Sequence, residues 1–268
     1  MYWIVNLNSR IEQSLTEIVK RTISKRKELE KENKELDKFI YRTSHDLRSP
    51  LSSVKGLATI ATHETTDANA KRFLKEIVAN IERLDSFTKE IIEYSKNALT
   101  DVMLETVNFN VLVSEIIDRL KYMKEASSIQ FLLNIDVKQD FLVDRRRIRI
   151  VLDNFIVNAI KYHDPKKSFQ YIQVNVNKVD DELIITVADN GIGIPPEYKS
   201  KIFDMFYRAT SVSIGSGLGL YIVKEAVEKM GGIIEVESNP GSGSKFSVHI
   251  PVGLSRFKRK QEMLHLQN

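Results

Sequence analysis

The chain has no cysteine, which excludes disulfides and thiolate metal centres, so any bound metal is expected to be held by oxygen. Its five histidines are scattered and never fall at His-x-x-x-His spacing, so a zinc site is not expected. No segment approaches the roughly 18 consecutive apolar residues that a membrane span requires. The opening MYWIV is short, apolar and aromatic. It reads as part of a helix seam or as the edge of a missing upstream segment, and the latter is the only route to a membrane. A large excess of one charge is missing too. Forty basic against 36 acidic residues give +4, most of which the tail SRFKRKQ at 255–261 can supply. Nucleic acid is therefore not expected as a partner, because the continuous basic stripe that would hold it is absent. What remains is a chain of 268 residues, 42% hydrophobic, long enough for about two domains with a buried core.

The first third is helical in pattern. Ile4, Ile11, Ile18 and Phe39 fall at one heptad position and Leu15, Leu29 and Leu36 at the other, with charge-rich ISKRKELEKENKELDK filling the space between. That spacing predicts a coiled-coil seam. The stripe continues through Ile40, Leu47, Leu51, Val54 and Ala58, stops at the polar THETTDAN, and resumes through Leu74, Ile77, Ile81, Leu84 and Ile91. Two long helices joined by a short polar turn make an antiparallel hairpin. One hairpin cannot enclose a core, because each helix has a single partner, so two hairpins are expected to pair as a homodimeric four-helix bundle.

After Asp101 the pattern becomes mixed. A helix is predicted at about 111–123, strands at 129–135 and 141–143, and a helix from an Asp144 cap to about Tyr162. YIQVNVNKV and ELIITVAD alternate around Asp180 and Asp181, IIEVES and KFSVHI flank NPGSG, and a helix at 218–230 lies between these pairs. The expected fold class is α+β and multi-domain. A coiled coil and helical hairpin precede a two-layer α/β sandwich with helices on one side of a mostly antiparallel sheet.

Two regions carry chemistry. In SHDLRSPL at 44–51, His45 lies roughly 160° from the centre of the apolar stripe and faces solvent. Asp46 is close enough to hold the ring through Nδ1–H and present Nε2 as a nucleophile. Pro50 lacks an N–H, which deprives the Asp46 carbonyl of its helical partner and predicts a bend. In VLDNFIVNAIKYHD, Leu152, Phe155, Ile156 and Ala159 form an apolar face, and Asn154, Asn158, Lys161 and Tyr162 lie opposite. Amide oxygens suit Mg²⁺, and a lysine one turn on can neutralise phosphate. VADNGIGIPP follows, with Asp189 at a strand end and Gly191 and Gly193 able to let backbone approach a flat ring or a phosphate. GSGLGLYIV then places Gly215, Gly217 and Gly219 at a helix start, where free N–H groups favour phosphate.

SHDLRSPL resembles the phosphoacceptor box of sensor histidine kinases. NFIVNAIKY, DNGIGIPP, IFDMFYR and GSGLGL are similar, in order, to the N, G1, F and G2 boxes of that family's ATP-binding domain. The resemblance spans about 39–252. It implies an ATP-dependent kinase in which His45 takes the γ-phosphoryl group on Nε2 and Asp46 acts as base. It further implies Asn158 as Mg²⁺ ligand with Asn154 beside it, Lys161 and Arg208 as phosphate contacts, and Tyr162 as a wall near sugar or base. Asp189 becomes the acceptor for the adenine amino group, Gly191 and Gly193 shape its pocket, and Gly215, Gly217 and Gly219 carry the lid back to the helix. Phe203 and Phe206 are expected to anchor the lid by packing. The implied partner is a response regulator whose aspartate receives the phosphoryl group, and the implied location is cytoplasmic, alone or as the cytoplasmic part of a membrane-bound sensor. The corresponding domains are a signalling helix at 1–38, a phosphotransfer hairpin at 39–100, an ATP-binding domain at 101–252 and a basic tail at 253–268.

Two rivals remain open. A gyrase- or chaperone-like ATPase would carry a glutamate where Asn154 stands, and asparagine cannot take a proton from water. A non-catalytic scaffold would hold ATP, or only a partner protein, without transferring phosphate. The family's phosphatase signature has Thr or Asn three residues after the acid, and Ser49 stands there.

Overall fold

The computed structural model describes residues 2–137, 141–208 and 216–252, including their side chains except those of residues 2–15, 17, 18 and 30. Gly215, the segment before it from Ala209, the tail at 253–268 and the side chains of Ile4, Ile11, Leu15 and Ile18 thus lie outside the described residues. The chain forms two compact units, Met1–Leu99 and Thr100–Asn268.

The first unit is a helical hairpin, α1 (Tyr2–Glu64) and α2 (Ala68–Leu99). Asp67 starts α2: its carbonyl accepts the first helical bond, from the Lys71 N–H at 2.9 Å, and its carboxylate accepts the Asn69 N–H at 2.8 Å, which serves one of the N–H groups that a helix start leaves unpaired. Ala58, Ile81, Thr88 and Ile92 are buried. Pro50 sits within α1, and the helix continues through it. Apolar side chains remain on the outside of this hairpin, among them Leu36, Phe39, Leu57, Phe73, Ile77 and Leu84.

The second unit places β1 (Glu105–Val107), α3 (Phe109–Leu120), β2 (Ile129–Asp136), β3 (Phe141–Val143), α4 (Arg145–Lys161), β4 (Gln170–Val179), β5 (Glu182–Asp189), α5 (Gly219–Lys229), β6 (Ile233–Asn239) and β7 (Gly243–Pro251) in that order. Its main sheet runs β2-β4-β5-β7-β6, while β1 and β3 form a separate two-stranded ladder. β2 and β4 are parallel and the other pairs antiparallel. The parallel pair requires a crossover, and α4 supplies it. Asp180 turns β4 into β5 with φ of 52°, a left-handed conformation that aspartate tolerates better than most residues.

One sheet face carries Ile172, Val174, Val176, Leu183, Ile185, Val187, Val248 and Ile250, all buried, together with Ile148, Leu152, Phe155 and Ile156 of α4. Phe155 stacks on Phe246 with centroids 5.0 Å apart. α4 is the helix that positions the site. Asp144 caps it by accepting the Arg147 N–H at 3.0 Å, and Arg147, almost fully buried, pairs with that same carboxylate while donating to the Asp101 carbonyl at 3.1 Å. β1 goes unpredicted because it spans three residues, two of them exposed, with no alternation to detect. α3 begins at Phe109, two residues before the predicted start, because Asn108 caps it through the Val111 N–H at 3.1 Å.

Candidate functional site

The two chemical regions of the sequence lie on different units. On α1, the His45 side chain is 65% exposed, and its Nδ1 stands 3.7 Å from Asp46 Oδ1. That separation is an ion-pair distance, too long for the hydrogen bond the sequence suggested. Consecutive helical residues diverge by about 100°, so adjacent side chains do not face one another.

The second constellation is organised around the polar face of α4. Asn154, Asn158, Lys161 and Tyr162 are each partly buried, against buried Leu152, Phe155, Ile156 and Ala159. The Asn154 amide donates from Nδ2 to the Ile150 carbonyl at 2.8 Å. This fixes the amide and turns Oδ1 towards Gly219, the first residue of α5, where a Cβ would lie 2.6 Å from that oxygen. Any larger residue there would require the asparagine side chain to shift.

Tyr162 is the C-cap of α4, and its carbonyl accepts the Ile192 N–H at 3.0 Å. The loop after β5 is thereby tied to the end of the helix. Asp189 Oδ1 accepts the N–H of Gly191 at 2.8 Å and that of Ser244 at 3.3 Å. Burial raises the pKa of this carboxyl, and the two N–H donors and the charge of Lys167 oppose the rise. Gly193 has φ of +71° and passes so close to the Asn239 carbonyl that a Cβ would collide with it; both facts require glycine. A small recess lined by Ala159, His163, Ile172, Asp189 and Gly191 adjoins this loop.

Gly217 accepts the Phe206 N–H at 3.1 Å, closing the segment that leads into α5. Phe206 has φ of 63° and is half exposed, whereas Phe203 is partly buried and meets Phe246 edge-on at 6.5 Å. The packing expected of Phe203 is thus seen in its contact with Phe246, while Phe206 is the more exposed of the two rings. Arg208 is exposed. The structure thus brings Tyr162, Asp189, Gly191 and Gly193 together, and sets Asn154 against Gly219. Asn158 and Lys161 follow on the same helix, Arg208 and Gly217 lie on the lid flanks, and His45 and Asp46 belong to the helical unit.

Several participants escape sequence reasoning. Asn190 fixes the loop by accepting the Tyr171 N–H at 3.0 Å and donating to the Phe169 carbonyl at 2.7 Å. Ser238 accepts the Ile194 N–H at 2.8 Å and donates to Gly243 at 2.8 Å. Lys167 donates to three loop carbonyls. Apart from the Ser238–Gly243 bond, these contacts join residues distant in sequence, and no local spacing marks them.

Two family models match the chain. His Kinase A (phospho-acceptor) domain covers residues 35–99, and Histidine kinase-, DNA gyrase B-, and HSP90-like ATPase covers residues 143–254. Sensor histidine kinase WalK of Bacillus subtilis is 34% identical over 88% of this chain and 39% of its own length. Phytochrome-like protein Cph1 of Synechocystis is 31% identical over 93% of this chain and 33% of its own length. The chain therefore spans little more than a third of these relatives. Among solved structures, full-length ShkA in complex with AMPPNP shares the fold, with TM-score 0.65 and 23% identity over 80% of this chain and 45% of its own. Histidine kinase ThkA in complex with response regulator protein TrrA gives TM-score 0.55 and 27% identity over 79% of this chain and 60% of its own. A phosphoacceptor helix with an exposed histidine, followed by an ATPase-type sandwich with its asparagine helix and glycine loops, makes this chain a member of the sensor histidine kinase family.

Proposed function

We propose that this chain is the catalytic core of a two-component sensor kinase. The γ-phosphoryl group of ATP passes to Nε2 of His45 and then to an aspartate of a response regulator. In the first step the Nε2 lone pair forms the N–P bond, the bond from phosphorus to the β,γ-bridging oxygen breaks, and ADP leaves. The phosphorylated ring keeps its proton on Nδ1, and the carboxylate of Asp46, within ion-pair distance, stabilises the resulting positive charge. The observation that carries this reading is the exposed His45–Asp46 pair on a helix of the same chain that holds an Asp189–glycine nucleotide loop.

Within the loop, both N–H donors engage Oδ1 of Asp189, which leaves Oδ2 as the oxygen for the adenine amino group. Gly191 and Gly193 shape the adenine pocket and Tyr162 flanks it. Lys161 and Arg208 contact phosphates, and Gly215, Gly217 and Gly219 return the lid to α5. Mg²⁺ fits the donor set on α4. Asn158 and Asn154 offer hard, neutral amide oxygens at helical spacing, and among the described residues no cluster of three His, Asp or Glu side chains competes for a metal. When bound, the ion neutralises phosphate charge. Asn154 donates its amide to Ile150 and has no basic group to activate water, so transfer to an outside nucleophile is favoured over hydrolysis.

The exposed apolar residues of the hairpin, Phe39, Leu57, Ile77 and Leu84 among them, are covered by a second copy in a homodimeric four-helix bundle. The domain scheme is a signalling helix at 1–38, a phosphotransfer hairpin at 39–100, an ATP-binding domain at 101–252 and a basic tail. No helix among the described residues is long and apolar enough to cross a membrane, and the proposed setting is cytoplasmic, alone or as part of a membrane-bound sensor. The complex of ThkA with its response regulator supports a receiver domain as partner.

The test is incubation with γ-labelled ATP and Mg²⁺. Acid-labile label on the wild type and none on His45→Gln are expected. An unlabelled wild type that still binds ATP would establish the scaffold reading. Steady ADP release undiminished in His45→Gln would establish the ATPase reading.

A further inference from the structure

Lys167 lies between α4 and β4, outside every motif that the sequence offers. Its ammonium donates to the Asn190 carbonyl, to the Gly241 carbonyl at 2.8 Å and, at longer range, to the Gly191 carbonyl at 3.4 Å. An ammonium has three N–H donors and here meets three carbonyls. Two belong to the loop that follows Asp189, and the third belongs to the turn between β6 and β7. That turn is itself tied to the loop, since the Gly241 N–H donates to the Ile192 carbonyl at 2.7 Å. The side chain is partly buried, so its hydrogen bonds to carbonyl dipoles are less screened than on an open surface.

From this geometry we infer that Lys167 is a positioning residue for adenine recognition, clamping the loop that follows Asp189. The inference rests on the reading of Asp189 as the acceptor for the adenine amino group. A carboxylate can accept there through a free oxygen, whereas a protonated carboxyl has lost part of that capacity. Burial pushes the Asp189 carboxyl up, and the charge of Lys167 pulls it down. Removing the lysine takes three hydrogen bonds from the loop and one of the influences that oppose the rise. The other titratable groups near Asp189 are His163 and Tyr171, which share its recess, and Tyr162, whose carbonyl meets Gly191. From β7, Lys245 is engaged with Glu237 at 2.8 Å.

The experiment is titration of the full chain with ADP by calorimetry across mildly acidic to neutral pH, using wild type, Lys167→Met, Lys167→Arg and Asp189→Asn. The series is repeated with His163→Gln to remove the neighbouring imidazole. Lys167→Met is expected to bind ADP roughly tenfold more weakly at neutral pH, as loss of a charged hydrogen-bond donor implies, and to lose affinity at a higher pH than wild type on acidification. Lys167→Arg keeps the charge but not the compact ammonium. It is expected to keep the wild-type acid limb with reduced affinity, which separates charge from clamp and provides a variant that folds if the methionine form does not. The inference is overturned if Asp189→Asn loses ADP while Lys167→Met binds ADP at neutral pH as tightly as wild type. If Asp189→Asn binds ADP as wild type does, the reading of Asp189 fails first and the inference falls with it.

Discussion

The helical unit and the sandwich unit treat their reactive groups in opposite ways. His45 and Asp46 are exposed, and Nδ1 and Oδ1 stand 3.7 Å apart, beyond hydrogen-bond reach. Asp189 is partly buried, takes two backbone N–H bonds, and precedes a loop fastened to Tyr162, Gly241 and Lys167. Under the proposed function, the difference follows from what each group does. A phosphoacceptor has to be reached by two successive partners, the nucleotide site and then the receiver, so an exposed and unencumbered ring serves it. A purine has to be distinguished by one amino group, and that discrimination requires a carboxylate held in place before the ligand arrives.

The contrast can be tested at both ends. The largest effect is expected from His45→Gln, which should abolish acid-labile labelling while leaving ADP affinity and thermal unfolding as in wild type. Asn158→Ala should also abolish labelling, but through the nucleotide. A mixture of the two variants should regain label if transfer runs between subunits of the dimer, and stay unlabelled if it runs within one. A change of ADP affinity in His45→Gln would break the separation of roles.

Next in size is the core beneath the nucleotide helix. Phe155→Ala removes a fully buried ring stacked on Phe246, and is expected to cost about 3–5 kcal/mol in denaturant unfolding of the sandwich. Truncating exposed Phe39 to Ala should cost the isolated hairpin much less, yet weaken the dimer measured by sedimentation. Smaller again is Gly219→Ala. Its Cβ would lie 2.6 Å from Asn154 Oδ1, so Asn154 must shift; nucleotide affinity should fall more than stability does, as nucleotide titration beside a thermal melt would show.

The smallest effect is expected from Glu225→Gln on α5. Burial first, and then the charge of Glu228, raise the pKa of Glu225. A raised acid pKa means that the folded chain holds the proton more tightly than the unfolded one. The stability this gives is complete below the ordinary glutamate range and is lost as pH rises through the folded value. The neutral glutamine avoids that loss, so the variant should melt slightly higher than wild type at neutral pH. The difference should vanish in acid, and thermal melts at both pH values check it.

Much of the fold was legible because its signals are local. The cap at Asp144, the alternation of β4 and β5 around Asp180, and the apolar stripe of α2 each lie within one turn or one strand, where periodicity reports burial directly. β1 was not legible, since it exists only by pairing Glu105–Val107 with Phe141–Val143. The site divides in the same way. Asn154, Asn158, Asp189 and the glycines are marked by spacing, whereas Lys167, Asn190 and Ser238 act through partners that the chain brings near only on folding. Phe206 shows the limit from the other side: nothing in IFDMFYR marks that its backbone takes a left-handed φ of 63°.

What the amino-acid order determined by itself is therefore most of the elements and the exposure of His45, because these depend on periods of two to four residues; the roles proposed for the nucleotide residues came from the resemblance. Only the tertiary structure decided that Asn154 is set against Gly219 and that one ammonium gathers the carbonyls of two loops. Those arrangements depend on where distant backbone arrives, and burial of the sandwich core determines that.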